Sequence, residues 1–386
     1  MIRSTNKPLI AHVLFRLGTG GLENGLVNLI NTLPDDKYRH AVICMTDYTD
    51  FRNRINNDAV QVYCLNKKPG QDFAVYVRLW RLLRQIKPDL LHTRNLSALE
   101  AQLPALLADV KCRIHGEHGR DIDDVDGTNW RYVLLRRWFR PLVQCYVPMS
   151  KDLEDWLIKQ IKVPEKKIAQ IYNGVDLTRF KLGDSKPRWL LPIEFRAINL
   201  FLIGTVGRLD PIKDQLTLVQ AFIHLVKNNP ELSHKVRLVI VGDGVLMLPL
   251  QALVREADIE NLVWLAGERH DVADIMRTLD LFVLPSINEG ISNTILEAMA
   301  SALPVIATKV GGNSELVVEN ETGYLVPKQD PIAMADAIKH YLDQPELLSL
   351  QGQAGRARVV SKFSLDRMMT DYNDIYDKLL LECGSN

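Results

Sequence analysis

Short apolar runs alternate with longer stretches in which apolar residues recur every three or four positions. In the first half the runs are 9–15, 40–44, 60–64, 90–92, 112–115 and 142–148. Each has the length of a strand. Between them, 22–33, 75–86 and 98–107 carry the spacing of amphipathic helices. The second half repeats the rhythm, with strands at 200–206, 236–241, 263–266, 281–284 and 304–307. Its helices fall at 215–226, 248–257, 293–302, 333–342 and 345–363. Strand–helix alternation with short connections predicts an α/β fold, with parallel sheets covered on both faces. Two such series predict two Rossmann-like domains, at 1–172 and 197–362. The join at 173–196 is weakly periodic and holds Asn173-Gly174, Gly183, Pro187 and Pro192. It reads as a linker and hinge near Gly174.

Composition narrows the class. With 47% hydrophobic and 24% charged residues the chain is globular, neither disordered nor coiled coil. Basic and acidic residues number 47 each, which disfavours nucleic-acid binding by bulk charge. The balance is uneven along the chain: 26 basic and 19 acidic residues in 1–172, against 21 and 28 in 173–386. A basic half can orient the protein on an anionic surface. The stretch 130–140, WRYVLLRRWFR, is basic, aromatic and amphipathic. It suits either an ordinary domain helix or a resting place on the inner leaflet. No apolar run near the start is long enough for a membrane span or signal-peptide core. Five scattered cysteines without Cys-x-x-Cys spacing fit a reducing cytosol.

Four strand-end loops carry candidate chemistry. The first, GTVGRLDPIK at 204–213, holds Gly207, Arg208 and Lys213. Arg as a planar fork and Lys as a point charge suit a diphosphate. Pro211 suits a first helical position. The plainer alternative is two surface cations. The second loop is PSINEGISNTILEAMA at 285–300. Gly290 breaks the chain before a helix starting near Ser292 or Asn293, whose free N–H groups form an anion site. Glu297, one turn in, can accept hydrogen bonds from ribose hydroxyls or merely complement the helix dipole. Glu289 can meet a sugar hydroxyl or remain solvated.

The third loop is Gly18-Thr19-Gly20-Gly21-Leu22-Glu23. It lets the backbone approach a ligand but lacks the full Gly-x-Gly-x-x-Gly pattern. No P-loop string exists anywhere, which argues against dehydrogenase and ATPase. The fourth, IHGEHGRD at 114–121, places His118 between glycines. Asp121-Ile122-Asp123, with Asp124 and Asp126, reads as solvated acidic loop rather than a metal site.

Together these strings resemble glycosyltransferase family 4, the retaining GT-B enzymes. The second half carries the resemblance most specifically, in GTVGRLDPIKD, VGDG, LAGERHDVADIMRTLDLFVLPS, NEGISNTILEAMASALPVIAT and VGGNSELVVENETGYLVP. GTGGLENGLVNLI, HGEHGRD and NGVDLTRF match more loosely in the first half. The nearest subgroup resembles bacterial sugar transferases of exopolysaccharide assembly, including those accompanying exosortase systems.

The resemblance implies a GT-B fold, with two domains facing across a cleft and the tail 363–386 crossing back to the first. It implies that Arg208 and Lys213 hold the donor diphosphate, Glu297 the ribose and Glu289 the transferred sugar. Gly290, Ile291, Ser292, Asn293 and Thr294 would give backbone contacts. Gly20, Gly21 and Gly207 would approach the donor, His118 the sugar, and Arg269 the base. Glu23 and Arg120 would face the acceptor. Ile291-Ser292-Asn293 depart from the aromatic and small residues of many relatives, so sugar choice does not carry over. The implied reaction is transfer from a UDP- or GDP-sugar to a glycan or lipid-linked hydroxyl, retaining anomeric configuration, with no metal or other cofactor. The rivals are an epimerase or phosphorylase on the same fold, or a non-catalytic nucleotide-sugar scaffold. The expected location is cytoplasmic, at most peripheral to the membrane.

Overall fold

The computed structural model describes residues 7–120, 124–183 and 185–384. They form two compact units. One runs to Asn173 and takes in the segment from Asp366 onward; the other is Gly174–Leu365.

The first unit is built on a six-stranded parallel sheet: β1 (Leu9–Leu14), β2 (Arg39–Cys44), β3 (Gln61–Cys64), β4 (Leu90–Arg94), β5 (Cys112–Glu117) and β6 (Cys145–Pro148). Their order is β3-β2-β1-β4-β5-β6. One face buries Ala11, Val13, Ile43 and Leu91 against Val75, Leu79 and Leu83 of the helix Ala74–Ile86. Leu14, Val42 and Cys44 pack against Leu26, Val27 and Ile30 of the helix Gly21–Thr32. The closing helix Leu365–Gly384 contributes Tyr372, tilted against the His92 ring, and Tyr376, which meets that ring edge-on.

The second unit holds β7 (Phe201–Val206), β8 (Val236–Val241), β9 (Val263–Leu265), β10 (Leu281–Leu284), β11 (Val305–Thr308) and β12 (Gly323–Val326). Their order, β12-β11-β10-β7-β8-β9, is that of the first sheet. The helices Gln215–Asn228 and Pro331–Asp343 bury Leu218, Phe222, Met334 and Ile338 on it. In each sheet the chain starts centrally, winds to one edge, then returns to wind to the other. The reversal falls between β1 and β4, and again between β7 and β10. Loops diverge there and leave a crevice at the carboxyl ends.

Several boundaries differ from the sequence reading. The expected helix 98–107 is two, Leu96–Leu99 and Gln102–Leu107. Pro104 has no N–H to return to the Glu100 carbonyl, and the break falls there. β6 begins at Cys145 because 140–142 form a tight turn containing Pro141. β12 is missing from the apolar runs; two of its four positions are half-exposed. Residues 174–196, expected as a linker, belong to the second unit. Phe180, Leu191 and Phe195 are buried there. Gly174 is no loose pivot: a Cβ on it would lie 2.6 Å from the Leu365 Cα.

Candidate active site

The β7/β10 reversal brings two of the four loops together. The Ile287 N–H donates to the Ile212 carbonyl at 2.7 Å, tying the loop after β10 to the loop after β7. Lys213 Nζ then donates to Glu289 Oε1 at 2.5 Å, and Ser286 Oγ donates to the same oxygen at 2.7 Å. The Glu289 carboxylate is nearly buried and Lys213 partly so. The pair therefore sits in a medium where Coulomb attraction exceeds its value in water.

Glycines make this meeting possible. A Cβ on Gly311, whose φ is +45°, would fall 1.8 Å from the Glu289 carbonyl oxygen. One on Gly312 would fall 2.2 Å from the Gly290 oxygen. The loop after β11 thus lies backbone to backbone on the Glu289 loop. The sequence reading quoted these glycines without assigning them that role, as it did Gly242 and Gly244. A Cβ on Gly242 would strike the Gly207 oxygen at 1.9 Å. Ser286 was also missed. Its own carbonyl accepts from Thr308 Oγ1 at 2.5 Å, so both shoulders of the loop are fixed.

Arg208 stands apart. Its side chain is 65% exposed and pairs with Asp210 at 3.3 Å. The two expected phosphate cations thus have separate carboxylate partners, one inside the site and one facing solvent. Pro211 lies in a turn closed by Lys213 N–H on the Asp210 carbonyl, not at a helix start. The helix begins at Gln215, after Asp214 in a left-handed conformation.

The helix Asn293–Ala300 opens where expected. Ser292 caps it, its hydroxyl accepting from the Ile295 N–H and lying 3.1 Å from Thr294 Oγ1. Glu297 is half-buried, and no described residue donates a hydrogen bond to its carboxylate. Burial pushes its pKa up to about 7, opposed only by the charge of Arg179. Arg269 is clamped at 2.9 and 2.6 Å by Asp271 and lies over the Trp264 ring. Gly267 turns before it with φ +67°.

In the first unit, Gly20 caps the helix Gly21–Thr32 in extended conformation. A Cβ there would fall 2.1 Å from Glu23 Oε2, so that carboxylate folds back over the helix start. His118 follows β5, its N–H donating to Asn95 Oδ1 at 2.8 Å. Neither ring nitrogen has a hydrogen-bond partner among the described residues. Burial, then the charge of Arg94, brings its pKa down to about 3, so the ring is neutral at pH 7. Arg120 pairs with Asp152 at 2.8 Å. Asp121 and Asp123 lie outside the described residues. Asp124, expected in solvated loop, is buried and accepts from the Thr128 and Asn129 N–H groups. Arg136 of the helix Trp130–Phe139 points inward to Glu117 Oε1 at 2.8 Å.

Residues 19–179 match the model for Glycosyltransferase Family 4, and residues 201–344 that for Glycosyl transferases group 1. An Escherichia coli UDP-Gal:alpha-D-GlcNAc-diphosphoundecaprenol alpha-1,3-galactosyltransferase is 28% identical over 97% of this chain and 98% of its own length. The Staphylococcus aureus capsular polysaccharide biosynthesis glycosyltransferase CapM is 27% identical over 81% of this chain and 84% of its own. The crystal structure of Anabaena HepE with UDP and glucose superposes with a TM-score of 0.82 at 20% identity, covering 96% of this chain and all of HepE. Matched in both units and along almost its full length, the chain belongs to glycosyltransferase family 4 and has the GT-B fold.

Proposed function

We propose that this transferase moves a hexose from a UDP-sugar to a hydroxyl of a lipid-linked or polysaccharide acceptor, with retention at the anomeric carbon. The observation that carries the reading is the Lys213–Glu289 pair at the β7/β10 reversal, beside a capped helix start and the unpartnered Glu297. UDP is supported by the names of the Escherichia coli relative and of the HepE complex. The same relative's name supports a diphospholipid-linked acceptor.

The barrier is charge separation between an oxocarbenium-like sugar and its departing diphosphate. Lys213 spends one of three N–H donors on Glu289, leaving two for phosphate oxygens. Its charge is held in place before reaction, so it stabilises the growing anion without reorganisation cost. Arg208 is free to swing from Asp210 and add a planar fork. Glu289 accepts from a sugar hydroxyl and orients the ring. Glu297 receives the ribose hydroxyls. Retention requires the acceptor to attack on the face the diphosphate leaves. The carbon–oxygen bond to phosphate breaks, the new glycosidic bond forms, and the acceptor proton passes to a phosphate oxygen.

The helix Trp130–Phe139 exposes Trp130, Leu134 and Trp138 at spacings of four, hence on one face. Arg131 stacks on Trp130. That face, in the basic half, fits an anionic phospholipid surface. Among the described residues no helix is long and apolar enough to cross a membrane.

The test supplies radiolabelled UDP-galactose and UDP-glucose with an isoprenyl diphosphate-linked N-acetylglucosamine. Label in the lipid product is expected. Epimerised donor without acceptor, or a requirement for inorganic phosphate, would replace the transferase reading. Flotation with phosphatidylglycerol vesicles tests the helix face; equal recovery of wild type and Trp138→Ala would remove it.

A further inference from the structure

The first sheet breaks a rule of buried parallel sheets, whose interior is normally Val, Ile and Leu. His12, His40, His92 and Arg94 are all buried on it. The pairing register places His12 beside His92, and Arg94 beside Gly116. Arg94 ends β4, at the β1/β4 reversal, and is 2% exposed. No described carboxylate lies within ion-pair distance of its guanidinium. Its polar neighbours are His12 Nδ1 at 3.3 Å, His92 Nδ1 at 3.4 Å and the His92 carbonyl at 3.4 Å. Arg94 also hydrogen-bonds to Tyr376, while Tyr372 and the negative charge of Glu23 act on it electrostatically. A buried cation without a paired anion is costly.

Arg94 only donates, so His12 Nδ1 must accept. His12 Nε2 then bears hydrogen and donates to His40 Nδ1 at 3.1 Å. His92 Nδ1 is 2.8 Å from the Tyr376 hydroxyl. His92 Nε2 has no hydrogen-bond partner among the described residues. A Cβ on Gly116 would lie 3.2 Å from His92 Nε2 and 2.9 Å from His118 Nε2. Two unpartnered ring nitrogens thus converge over a glycine, next to a buried guanidinium. The set offers a positive charge and two ring nitrogens able to carry hydrogen, with no carboxylate among the described residues bound to it.

We propose that Arg94 and His92, with His118, form a phosphate-binding pocket at the carboxyl edge of the first sheet that receives the acceptor's phosphate. This deepens the reading above and rests on it for the acceptor's role. Phosphate oxygens would replace the missing counter-ion of Arg94 and draw an N–H to the unpartnered ring nitrogens of His92 and His118. A charge-assisted contact of this kind is worth roughly tenfold or more in affinity.

The experiment uses the full chain with saturating UDP, so that the donor's phosphate sites are filled. Calorimetry then measures binding of inorganic diphosphate and of farnesyl diphosphate, representing free and lipid-borne phosphate. Wild type is expected to bind both. Arg94→Gln should weaken both roughly tenfold or more while UDP affinity stays unchanged. Arg94→Lys, which keeps the charge, should retain part of the affinity. Equal binding by wild type and Arg94→Gln would overturn the pocket. Should Arg94→Gln not fold, the His92 and His118 ring resonances of wild type serve instead: they must shift with diphosphate, and unmoved resonances overturn the proposal. If wild type fails to bind UDP, the donor reading falls, and the diphosphate titration still decides Arg94.

Discussion

Lys213 and Glu289, 76 residues apart in sequence, share a 2.5 Å hydrogen bond because the loops after β7 and β10 meet where the sheet reverses. Neither group is spare. Lys213→Ala removes a partly buried cation of the site, and should lower kcat by about a hundred- to a thousandfold. It also leaves a nearly buried carboxylate with Ser286 as its remaining donor, which should cost about 1–3 kcal/mol of stability. Donor turnover and thermal melting measured together separate the two losses. Unchanged kcat would remove Lys213 from the chemistry.

Gly311→Ala tests the frame rather than the chemistry. The new methyl would need space 1.8 Å from the Glu289 carbonyl oxygen, at a φ that disfavours a side chain. A loss of about 2–4 kcal/mol is expected, with activity falling beyond what melting explains. Gly25→Ala, at a glycine with open space around its Cα, is the control and should be near neutral or stabilising.

Glu297 gives a pH signature. Its folded pKa is raised to about 7 from an ordinary 4.5. The folded state therefore resists ionisation, and this group's burden on stability is absent below about pH 4.5 and grows to its full size above pH 7. Glu297→Gln should stabilise the protein at pH 8 by about 1–3 kcal/mol and leave it unchanged near pH 4.5. If ribose hydroxyls bind the ionised carboxylate, UDP affinity of wild type falls between pH 8 and pH 6, while the glutamine variant binds weakly at both. Calorimetry at the two pH values checks both statements.

Glu117 and Arg136 behave in the opposite sense. The burial of Glu117 is outweighed by Arg136 and His115, which hold its pKa near 2. Its stabilising contribution is complete above about pH 4.5 and disappears as pH falls toward 2. Arg136→Met leaves a buried carboxylate without its guanidinium and should cost about 3–5 kcal/mol. The double variant with Glu117→Leu should recover much of that. Urea midpoints of wild type and the two variants decide it.

The architecture was legible because each strand is a short apolar run and each helix carries a 3.6-residue stripe. Glu289, Gly290 and Glu297 were legible because the strand, glycine and helix start fall in sequence order. Arg208 was assigned its place from its charge at a strand end and from the family resemblance; neither tells which way a side chain turns, and here it pairs with Asp210 and is 65% exposed. Gly311 and Gly312 act across space on Glu289 and Gly290, so neighbouring sequence says nothing of their role. Arg94 fell just beyond the run 90–92 and was given no role, since only the register sets it opposite Gly116. The inward turn of Arg136 was hidden for a similar reason, its partner Glu117 being 19 residues away on β5.

The closing helix packs on the first unit although the whole second unit precedes it in the chain. The second unit is therefore translated in full before the first has all of its parts. Until residues 366–384 are made, His92 and Arg94 stay uncovered by Tyr372 and Tyr376. The unit begun first thus cannot be closed until the other has been made.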